Sequence, residues 1–392
     1  MRPVPLITLG IDASGIVTGG GLVHLRELLS ASRFVASRFG RIVCWTAPEL
    51  APRLPALEHV KYVQVPEIGR GILARARWQR WILPRLMAEE RCEFLFVAGS
   101  TSFFPGGRFA TINHNLLPFE WAELRREGLT RQSVRLVALR VLQGWTMRRC
   151  RGTIFLTPYA QEVITRVSGP LRCRTKIVPH GVNEEFRCVP REPRRLSDCS
   201  ASAPFRILYV SPIAMYKHQW NVVRAFGAIR RSGIHATLDL VGARNRLAGA
   251  HLDRALAELE PAHRAEVRHR ESIAHGELPE LFRSSDLFVF ASSCETFGIT
   301  LVEAMAAGLP IACSSRGPMP SILGSKGFYF DPLSPVSIER AMRTAIDSPR
   351  MRRDAAQDAY ERSLVYSWQR CARETFEFVR AVHRERPSAA VK

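Results

Sequence analysis

The stretch SSCETFGITLVEAMAAGLP, residues 292–310, decides how we interpret the fold. It overlaps the end of an apolar, strand-like run, LFVFAS, and passes through a short turn that ends at Gly298. An apolar, Ala-rich helix is predicted over 299–307, where a Gly-Leu-Pro sequence ends it. Two carboxylates, Glu295 and Glu303, stand eight positions apart on either side of the helix start.

A helix that begins after such a turn presents unpaired backbone N–H groups and a partial positive charge. We predict that these groups form a cradle for a diphosphate, made by Thr296, Phe297, Gly298 and Ile299. Glu295 lies in the turn, and Glu303 lies where it could accept hydrogen bonds from neighbouring sugar hydroxyls. Two glutamates at this spacing are more often solvent-exposed, so the prediction depends on the strand–turn–glycine–helix context.

The same alternation of strand and helix fills the rest of the chain. Apolar runs in the first half include LITLGID, RIVCWTA, FLFVAGS, FATINHN and GTIFLTP, and a helical pattern follows the first of them in GLVHLRELLSASRFVASRF. In the second half of the chain the alternation of strand and helix begins again, with the strand-like runs FRILYVS, ATLDLVGA, VRHRESI, DLFVFAS and PIACSS. This pattern predicts an α/β fold with two Rossmann-like domains, each built on a parallel sheet.

The domain limits follow from a change in composition. Residues 187–204, RCVPREPRRLSDCSASAP, are rich in Arg, Pro and Ser and read as a linker or surface loop. We therefore predict an N-terminal domain at 1–186, a C-terminal domain at 205–365 and a final helix within 366–392.

Composition excludes several classes of protein. The chain has 392 residues, of which 46% are hydrophobic, enough for about two folded domains. MRPVPLITLG lacks the features of a signal peptide and no apolar run reaches about 18 residues, so we expect neither export nor membrane spanning. Nine scattered cysteines without a C-x-x-C pair favour a reducing cytosol. No Asp-x-Asp or His/Cys spacing suggests a metal, and none is expected.

The net charge of +20 indicates an anionic partner: nucleic acid, anionic lipid or a phosphorylated substrate. Two stretches concentrate arginine among apolar and aromatic residues, RGILARARWQRWILPR at 70–85 and LRREGLTRQSVRLVALRVLQGWTMRRCR at 124–151. They fit an anionic membrane surface, and they fit equally an amphipathic helix with an Arg-rich solvent face. A nucleic-acid partner is not expected, because no groove-reading or base-stacking motif accompanies the charge.

Residues 294–332, CETFGITLVEAMAAGLPIACSSRGPMPSILGSKGFYFDP, resemble the E-x7-E segment of the retaining glycosyltransferases of family 4, the "group 1" nucleotide-sugar transferases. The resemblance extends over nearly the whole chain. It implies a GT-B type fold, with two facing Rossmann-like domains, an interdomain donor cleft and a last helix that crosses back to the N-terminal, acceptor-side domain. It also implies that Glu295 lies near the donor sugar and that Glu303 binds the nucleotide's ribose.

A second segment, ILYVSPIAMYKHQWNVVRAF at 207–226, is similar to the family's first strand, loop and helix of the donor domain. Lys217 is in register with the family's diphosphate-binding lysine, and Ser211 and His218 border the same loop. The family's Gly-Arg pair is replaced by Ser211 and Pro212. Either His218, another arginine or backbone amides supply the missing positive charge, or the activity has been lost.

Two segments of the first domain complete the resemblance. VTGGGLVHLRELL places Gly20 and Gly21 beside a helix start, similar to the family's glycine loop at the donor diphosphate; the alternative is a turn without a ligand. TINHNLLPFE places His114 after a strand, where a family histidine often faces the transferred sugar; the alternative is a buried, satisfied histidine.

The resemblance implies the retaining, metal-independent transfer of a hexose from a nucleoside diphosphate sugar, with GDP-mannose ahead of a UDP-sugar. The expected acceptor is a growing glycan or lipid-linked oligosaccharide of a surface polysaccharide such as O-antigen. The expected location is the cytoplasm, including the inner face of its membrane. A non-catalytic partner subunit that binds nucleotide or glycan is the main alternative. An epimerase or phosphorylase of the same architecture and a nucleic-acid binder are less favoured.

Overall fold

The structure, a computed structural model, describes residues 7–17, 19–33 and 39–385. The chain divides into two compact units. The first unit comprises Met1–Gly181 with Ser367–Lys392, and the second unit comprises Val182–Tyr366. Residues 1–6 of the N-terminal segment MRPVPLITLG lie outside the described residues.

The first unit is built on a seven-stranded parallel sheet in the order β3-β2-β1-β4-β5-β6-β7. The central strands are buried on both faces, which explains why they read as continuous apolar runs in the sequence. The strands are β1 (Ile7–Asp12), β2 (Phe39–Thr46), β3 (Val60–Gln64), β4 (Phe94–Val97), β5 (Phe109–Ile112), β6 (Gly152–Phe155) and β7 (Arg174–Ile177).

The helices of the first unit connect these strands. They are α1 (Gly20–Ser32), α2 (Ile72–Arg77), α3 (Leu83–Glu89), α4 (Trp121–Arg126), α5 (Arg131–Arg149) and α6 (Pro158–Ser168), with a π-helical turn, Trp78–Ile82, joining α2 to α3. Helix α5 carries a capping box in which the Thr130 side chain and the Ser133 backbone N–H form a hydrogen bond of 3.2 Å.

The second unit repeats the plan with a six-stranded parallel sheet in the order β10-β9-β8-β11-β12-β13. Its strands are β8 (Phe205–Val210), β9 (Ala236–Val241), β10 (Val267–Arg270), β11 (Leu287–Phe290), β12 (Ile311–Ser314) and β13 (Phe328–Phe330). Its helices are α7 (Gln219–Arg231), α8 (Arg246–Ala257), α9 (Pro261–Arg264), α10 (Leu278–Arg283), α11 (Ile299–Ala306), α12 (Met319–Leu323), α13 (Pro335–Asp347) and α14 (Pro349–Ser363).

The last helix, α15 (Trp368–Arg384), belongs to the first unit. It packs on α1 and on strands β5 and β6. Gly152 permits the approach to β6, because a Cβ atom there would lie 2.9 Å from atoms of Phe378 and Val382.

The two Rossmann-like parallel sheets confirm the predicted fold class. The arrangement of the two units around a donor cleft stays a prediction. Among the described residues, no helix is long and apolar enough to cross a membrane.

Several sequence-based boundaries were wrong. The helix predicted to run to Phe39 ends at Ser32; residues 34–38 lie outside the described residues, and Phe39 begins β2 in register with Ile7. Pairing with β1 therefore overrides the helical period at that point. Three strands, β3, β7 and β13, were not predicted. They lie at sheet edges and are short or partly polar, so their apolar pattern is weak.

The segment 187–204, predicted as a linker or surface loop, is part of the second unit. The Cys188 amide donates to the carbonyl oxygen of Ala306 at 2.9 Å. Arg191 and Arg194 donate to the buried carboxylate of Asp286 at 2.8 and 3.3 Å. These arginines of the basic chain therefore form hydrogen bonds within the fold, and their donors are not all available to an anionic ligand.

Gly242 fixes the loop that follows β8. Its φ is 144°, and a Cβ atom there would lie 2.2 Å from the carbonyl oxygen of Ser211. We expect Gly242→Ala to lower the free energy of unfolding by roughly 2–4 kcal/mol, because backbone must move to remove the clash. Urea denaturation measures the change. Gly276→Ala is the matched control, since a Cβ atom there meets nothing within 4 Å; equal midpoints for the two variants would contradict the prediction.

Candidate functional site

The loops that follow β8 and β11 meet where the strand order of the second sheet reverses. Ligands of such sheets bind beyond the carboxyl ends of the strands at this switch point. The two loops are joined directly, because the Ser293 amide donates to the carbonyl oxygen of Tyr216 at 2.8 Å. Residues 211–218 and 291–298 thus form the candidate donor site.

An ion pair between Lys217 and Glu295 occupies the centre of this site. Lys217 Nζ donates to Glu295 Oε1, and the two side chains are only 8% and 14% exposed. The ammonium also lies 5.1 Å from the ring centroids of Tyr216 and Phe290, a cation–π arrangement. Because desolvation offsets much of the attraction in a buried pair, the pair by itself contributes little net stability. The roles of Lys217 and Glu295 toward a donor stay predictions.

His218 shapes the loop rather than facing open solvent. It adopts a left-handed conformation with φ 52°, which is uncommon outside glycine and found more often at functional sites. Its ring is buried, shares a hydrogen bond of 2.8 Å between Nε2 and Ser293 Oγ, and packs edge-on against Trp220. Its predicted contact with the donor diphosphate stays a prediction.

The side-chain amide of Gln219 organises the turn at Ser211 and Pro212, the two positions at which the family resemblance implies a Gly-Arg pair. Gln219 Nε2 donates to Ser211 Oγ at 2.8 Å and to the carbonyl oxygen of Pro212 at 2.9 Å. Ser211 and Gln219 are buried, whereas Pro212 is exposed. Sequence reasoning singled out Ser211 but missed Gln219, which has no recognisable motif of its own.

Helix α11 begins beside the Lys217–Glu295 pair with Gly298 as its N-cap. Gly298 has φ 95° and ψ 70°, and the described residues supply no side-chain cap. Its carbonyl accepts from the Leu301 amide at 3.1 Å, while the amides of Gly298 and Ile299 have no partner among the described residues. These two N–H groups suit an anionic ligand.

The two preceding residues of the predicted cradle are buried. The Phe297 ring packs edge-on against Tyr366 with centroids 5.4 Å apart, so its side chain anchors the turn. Thr296 is also nearly enclosed. The roles of their amides toward a diphosphate stay predictions.

Glu303 lies on the second turn of α11 and is half-buried. Burial raises the pKa of its carboxyl group to about 8, and the nearby Glu185 carboxylate acts in the same direction. Within the described part of the chain, the Glu303 carboxyl group forms no hydrogen bond or ion pair. A carboxyl group in this state has its full hydrogen-bonding capacity available for a ligand's hydroxyls.

The glycines of the first unit lie at the start of α1. Gly19 is the N-cap with φ 69°, and Gly20 and Gly21 form the first turn of the helix. Gly19 and Gly20 are exposed, so the backbone there is accessible. Thr18, from the quoted segment, lies outside the described residues. The predicted proximity of this loop to a diphosphate stays a prediction.

His114, half-buried after β5, is not a lone histidine. Its ring centroid lies 4.8 Å from that of His24 and 5.4 Å from that of His180. Burial lowers the pKa of His114 to about 4. His24, His114 and His180 are separated by tens of residues along the chain, so no sequence pattern links them and only the fold brings them together.

Sucrose-phosphate synthase from Thermosynechococcus elongatus superposes with a TM-score of 0.74 at 17% identity, over 96% of this chain and 99% of that one. Such structural neighbours are GT-B glycosyltransferases, and at this identity the likeness is one of fold. Residues 200–362 match the profile of the family "Glycosyl transferases group 1". The sequence of the second unit is thus similar to that of the group 1 glycosyl transferases over 200–362.

Two curated relatives have specified activities. D-inositol 3-phosphate glycosyltransferase of Paenarthrobacter aurescens (strain TC1) is 29% identical over 231 residues, 56% of this chain and 55% of the relative. O-antigen chain mannosyltransferase B of Escherichia coli is 27% identical over 109 residues, 28% of this chain and 29% of the relative. The chain spans little more than half the length of the first relatives it matches.

The raised pKa of Glu303 gives the protein a measurable pH dependence. The folded protein holds this proton up to about pH 8, whereas the unfolded chain loses it near the ordinary value of 4.5. The contribution of this proton to the free energy of unfolding is therefore fully present below about pH 4.5 and is lost as the pH rises to about 8. We expect Glu303→Gln, which cannot ionise, to be more stable than the wild type by about 1–3 kcal/mol at pH 8.5, with the difference vanishing near pH 4.5.

Urea denaturation of both proteins at pH 5, 6.5 and 8.5 measures the difference. Glu271→Gln, at an exposed position of the same unit, is the control and should show no such trend. Parallel stability curves for the wild type and Glu303→Gln would contradict the assignment.

Proposed function

We propose that the protein transfers a hexose from a nucleoside diphosphate sugar to a growing glycan with retention of anomeric configuration. The observation that carries the proposal is the buried Lys217–Glu295 pair at the switch point of the second sheet. It lies next to the start of α11 with its two available amides, and the same helix carries the unpaired carboxyl group of Glu303. A cation, amides and hydroxyl acceptors are the groups that a nucleotide sugar requires.

Each of these groups has a proposed role. The Lys217 ammonium and the amides of Gly298 and Ile299 stabilise the negative charge that develops on the departing diphosphate. Glu295 orients Lys217 and accepts hydrogen bonds from the donor sugar. Glu303 accepts hydrogen bonds from the ribose hydroxyls.

The proposed reaction takes place on one face of the sugar. The leaving diphosphate helps to deprotonate the acceptor hydroxyl as the glycosidic bond breaks, so that the protein forms no covalent intermediate. The protein then contributes position and electrostatic stabilisation. No metal is required for this step.

The proposed donor is GDP-mannose, with a UDP-sugar as the alternative, and the proposed acceptor is a lipid-linked surface glycan. The partial similarity to an O-antigen mannosyltransferase supports both choices. On this proposal the protein works in the cytoplasm, at the inner face of the membrane that carries the acceptor.

The Lys217–Glu295 pair provides the direct test. In the double variant Lys217→Met/Glu295→Gln the charge is removed without leaving an unpaired partner. We expect GDP or UDP binding to weaken, and turnover of the sugar donor to lose about 2–4 kcal/mol of transition-state stabilisation, because one preorganised cation is lost. Binding of the corresponding nucleosides, which lack phosphates, should be unchanged. Calorimetric titration gives the affinities, and release of nucleotide from the sugar donor measures turnover.

The matched control is Arg224→Met/Glu258→Gln. It removes a surface ion pair of 2.7 Å on the same unit and should bind and turn over as the wild type does. Equal loss of affinity for nucleosides and nucleoside diphosphates in the Lys217 variant would overturn the proposed role.

A non-catalytic partner subunit is the second candidate, and it rests on Pro212. An amide from Gln219 organises the turn in which the family resemblance leads one to expect an arginine. Nucleotide binding without turnover of any sugar donor would favour this candidate. Slow release of nucleotide from a matching donor would favour the enzyme.

We also propose that the first unit docks on an anionic membrane. Exposed apolar side chains lie among the arginines of the two basic stretches: Leu73, Trp81, Leu129, Val134 and Val141. Arg140 lies 4.5 Å from the Trp121 ring, and Arg149 lies 4.2 Å from the Trp145 ring. Arginine and aromatic residues combined in this way suit an interface between lipid headgroups and acyl chains.

Flotation with vesicles tests the docking proposal. We expect binding to vesicles rich in phosphatidylglycerol and loss of at least about tenfold in affinity for Leu73→Glu/Trp81→Glu, since both burial and charge attraction decrease. Leu364→Glu changes an exposed apolar residue of the second unit and should bind as the wild type does. Absence of wild-type binding to these vesicles would end the proposal.

A further inference from the structure

A cluster of histidine and cysteine side chains lies inside the first unit, beside His114. His24 comes from α1, His180 from the segment after β7, and Cys371 from the first turn of α15. All three are buried, with exposures of 0%, 3% and 3%. One ligand atom from each lies within 4.8 Å of the other two.

His24 is the member of the cluster that requires an explanation. Both of its ring nitrogens are buried without a hydrogen-bond partner among the described residues. A neutral imidazole has one donor and one acceptor, and burying them unpaired costs free energy. Such an exception inside a native protein often marks a bound ion or water.

The surroundings hold these side chains in place. The Trp368 ring lies 6.1 Å from His24 and 5.6 Å from His180, measured between centroids. A Cβ atom at Gly181 would lie 2.2 Å from the Trp368 amide nitrogen, so the segment after β7 packs directly on the start of α15. The Trp368 ring and this backbone contact hold the cluster in place, and the ring of His114 lies against both histidines.

The ligand types define the class of ion. Imidazole nitrogen and thiolate sulfur bind zinc and similar transition metals, whereas magnesium and calcium prefer oxygen ligands. Tetrahedral zinc with Zn–N near 2.0–2.1 Å and Zn–S near 2.3 Å brings ligand atoms to within about 3.3–3.8 Å of each other. Side chains whose ligand atoms lie within 4.8 Å of one another need an approach of at most about 1.5 Å, which side-chain rotations supply.

We propose that His24, His180 and Cys371 bind one zinc-type transition metal ion in the first unit. The thiol of Cys371 releases its proton to solvent when its sulfur binds the ion. Three protein ligands leave the fourth tetrahedral position to a water molecule. The ion links α1, the segment after β7 and α15, so it fastens the last helix to the unit that the helix completes. This site is independent of the sugar transfer proposed above.

Cobalt(II) is the probe, because its spectrum reports thiolate ligation. The full chain is treated with a chelator, and Co²⁺ and then Zn²⁺ are titrated into it. We expect one Co²⁺ per chain with a thiolate-to-cobalt charge-transfer band, and displacement of Co²⁺ by Zn²⁺. Cys371→Ser should lose the band, and His24→Gln should bind at least about tenfold more weakly. Zn²⁺ should raise the thermal midpoint of the wild type but not of Cys371→Ser.

The controls are Cys92→Ser and His59→Gln, both in the first unit and outside the cluster; each should bind Co²⁺ as the wild type does. A wild-type titration without the charge-transfer band would overturn the proposal, even if Cys371→Ser failed to fold. A band and affinity that Cys371→Ser and His24→Gln leave unchanged would also overturn it, because they would place the metal elsewhere.

Discussion

Burial of both faces of the two parallel sheets is the constraint on which the rest of the molecule depends. Strands enclosed in this way carry few polar side chains, so the chemistry of each unit is displaced to the loops at the strand ends. Asp12 illustrates the rule in the first unit. It ends β1, is fully buried, and accepts hydrogen bonds from the Ser14 amide at 2.9 Å and from Gln79 at 2.6 Å. In the second unit the same edge holds Lys217 and Glu295.

The two carboxyl groups of the E-x7-E segment have different surroundings although they share one turn and helix. The Glu295 carboxylate forms an ion pair with the ammonium of Lys217. The carboxyl group of Glu303 is buried near the like charge of Glu185, and both effects raise the pKa of Glu303. Environment rather than residue type therefore separates their chemistry. On the proposed function, the paired carboxylate of Glu295 would contact the donor sugar, and the more readily protonated carboxyl group of Glu303 would contact the ribose.

The large positive charge has a substantial structural component. Buried Arg352 donates to the carbonyl oxygens of Ala345 and Ile346, each at 2.5 Å. Arg191 and Arg194 bind Asp286. Guanidinium groups suit such work because they remain charged and offer five donors in a fixed plane. The number of arginines available to an anionic partner is therefore smaller than the net charge suggests.

The sequence by itself determined the fold class and the strand–turn–helix at 287–306 with its two glutamates, because periodicity and glycine placement are local properties of neighbouring residues. Lys217 was singled out by the family resemblance rather than by periodicity. The sequence did not determine where the helix after β1 ends, since strand pairing decides that. Nor could it pair Lys217 with Glu295 or gather His24, His180 and Cys371, which are far apart along the chain. Only the tertiary structure brings such residues into contact, because long-range packing decides which side chains share a dry environment.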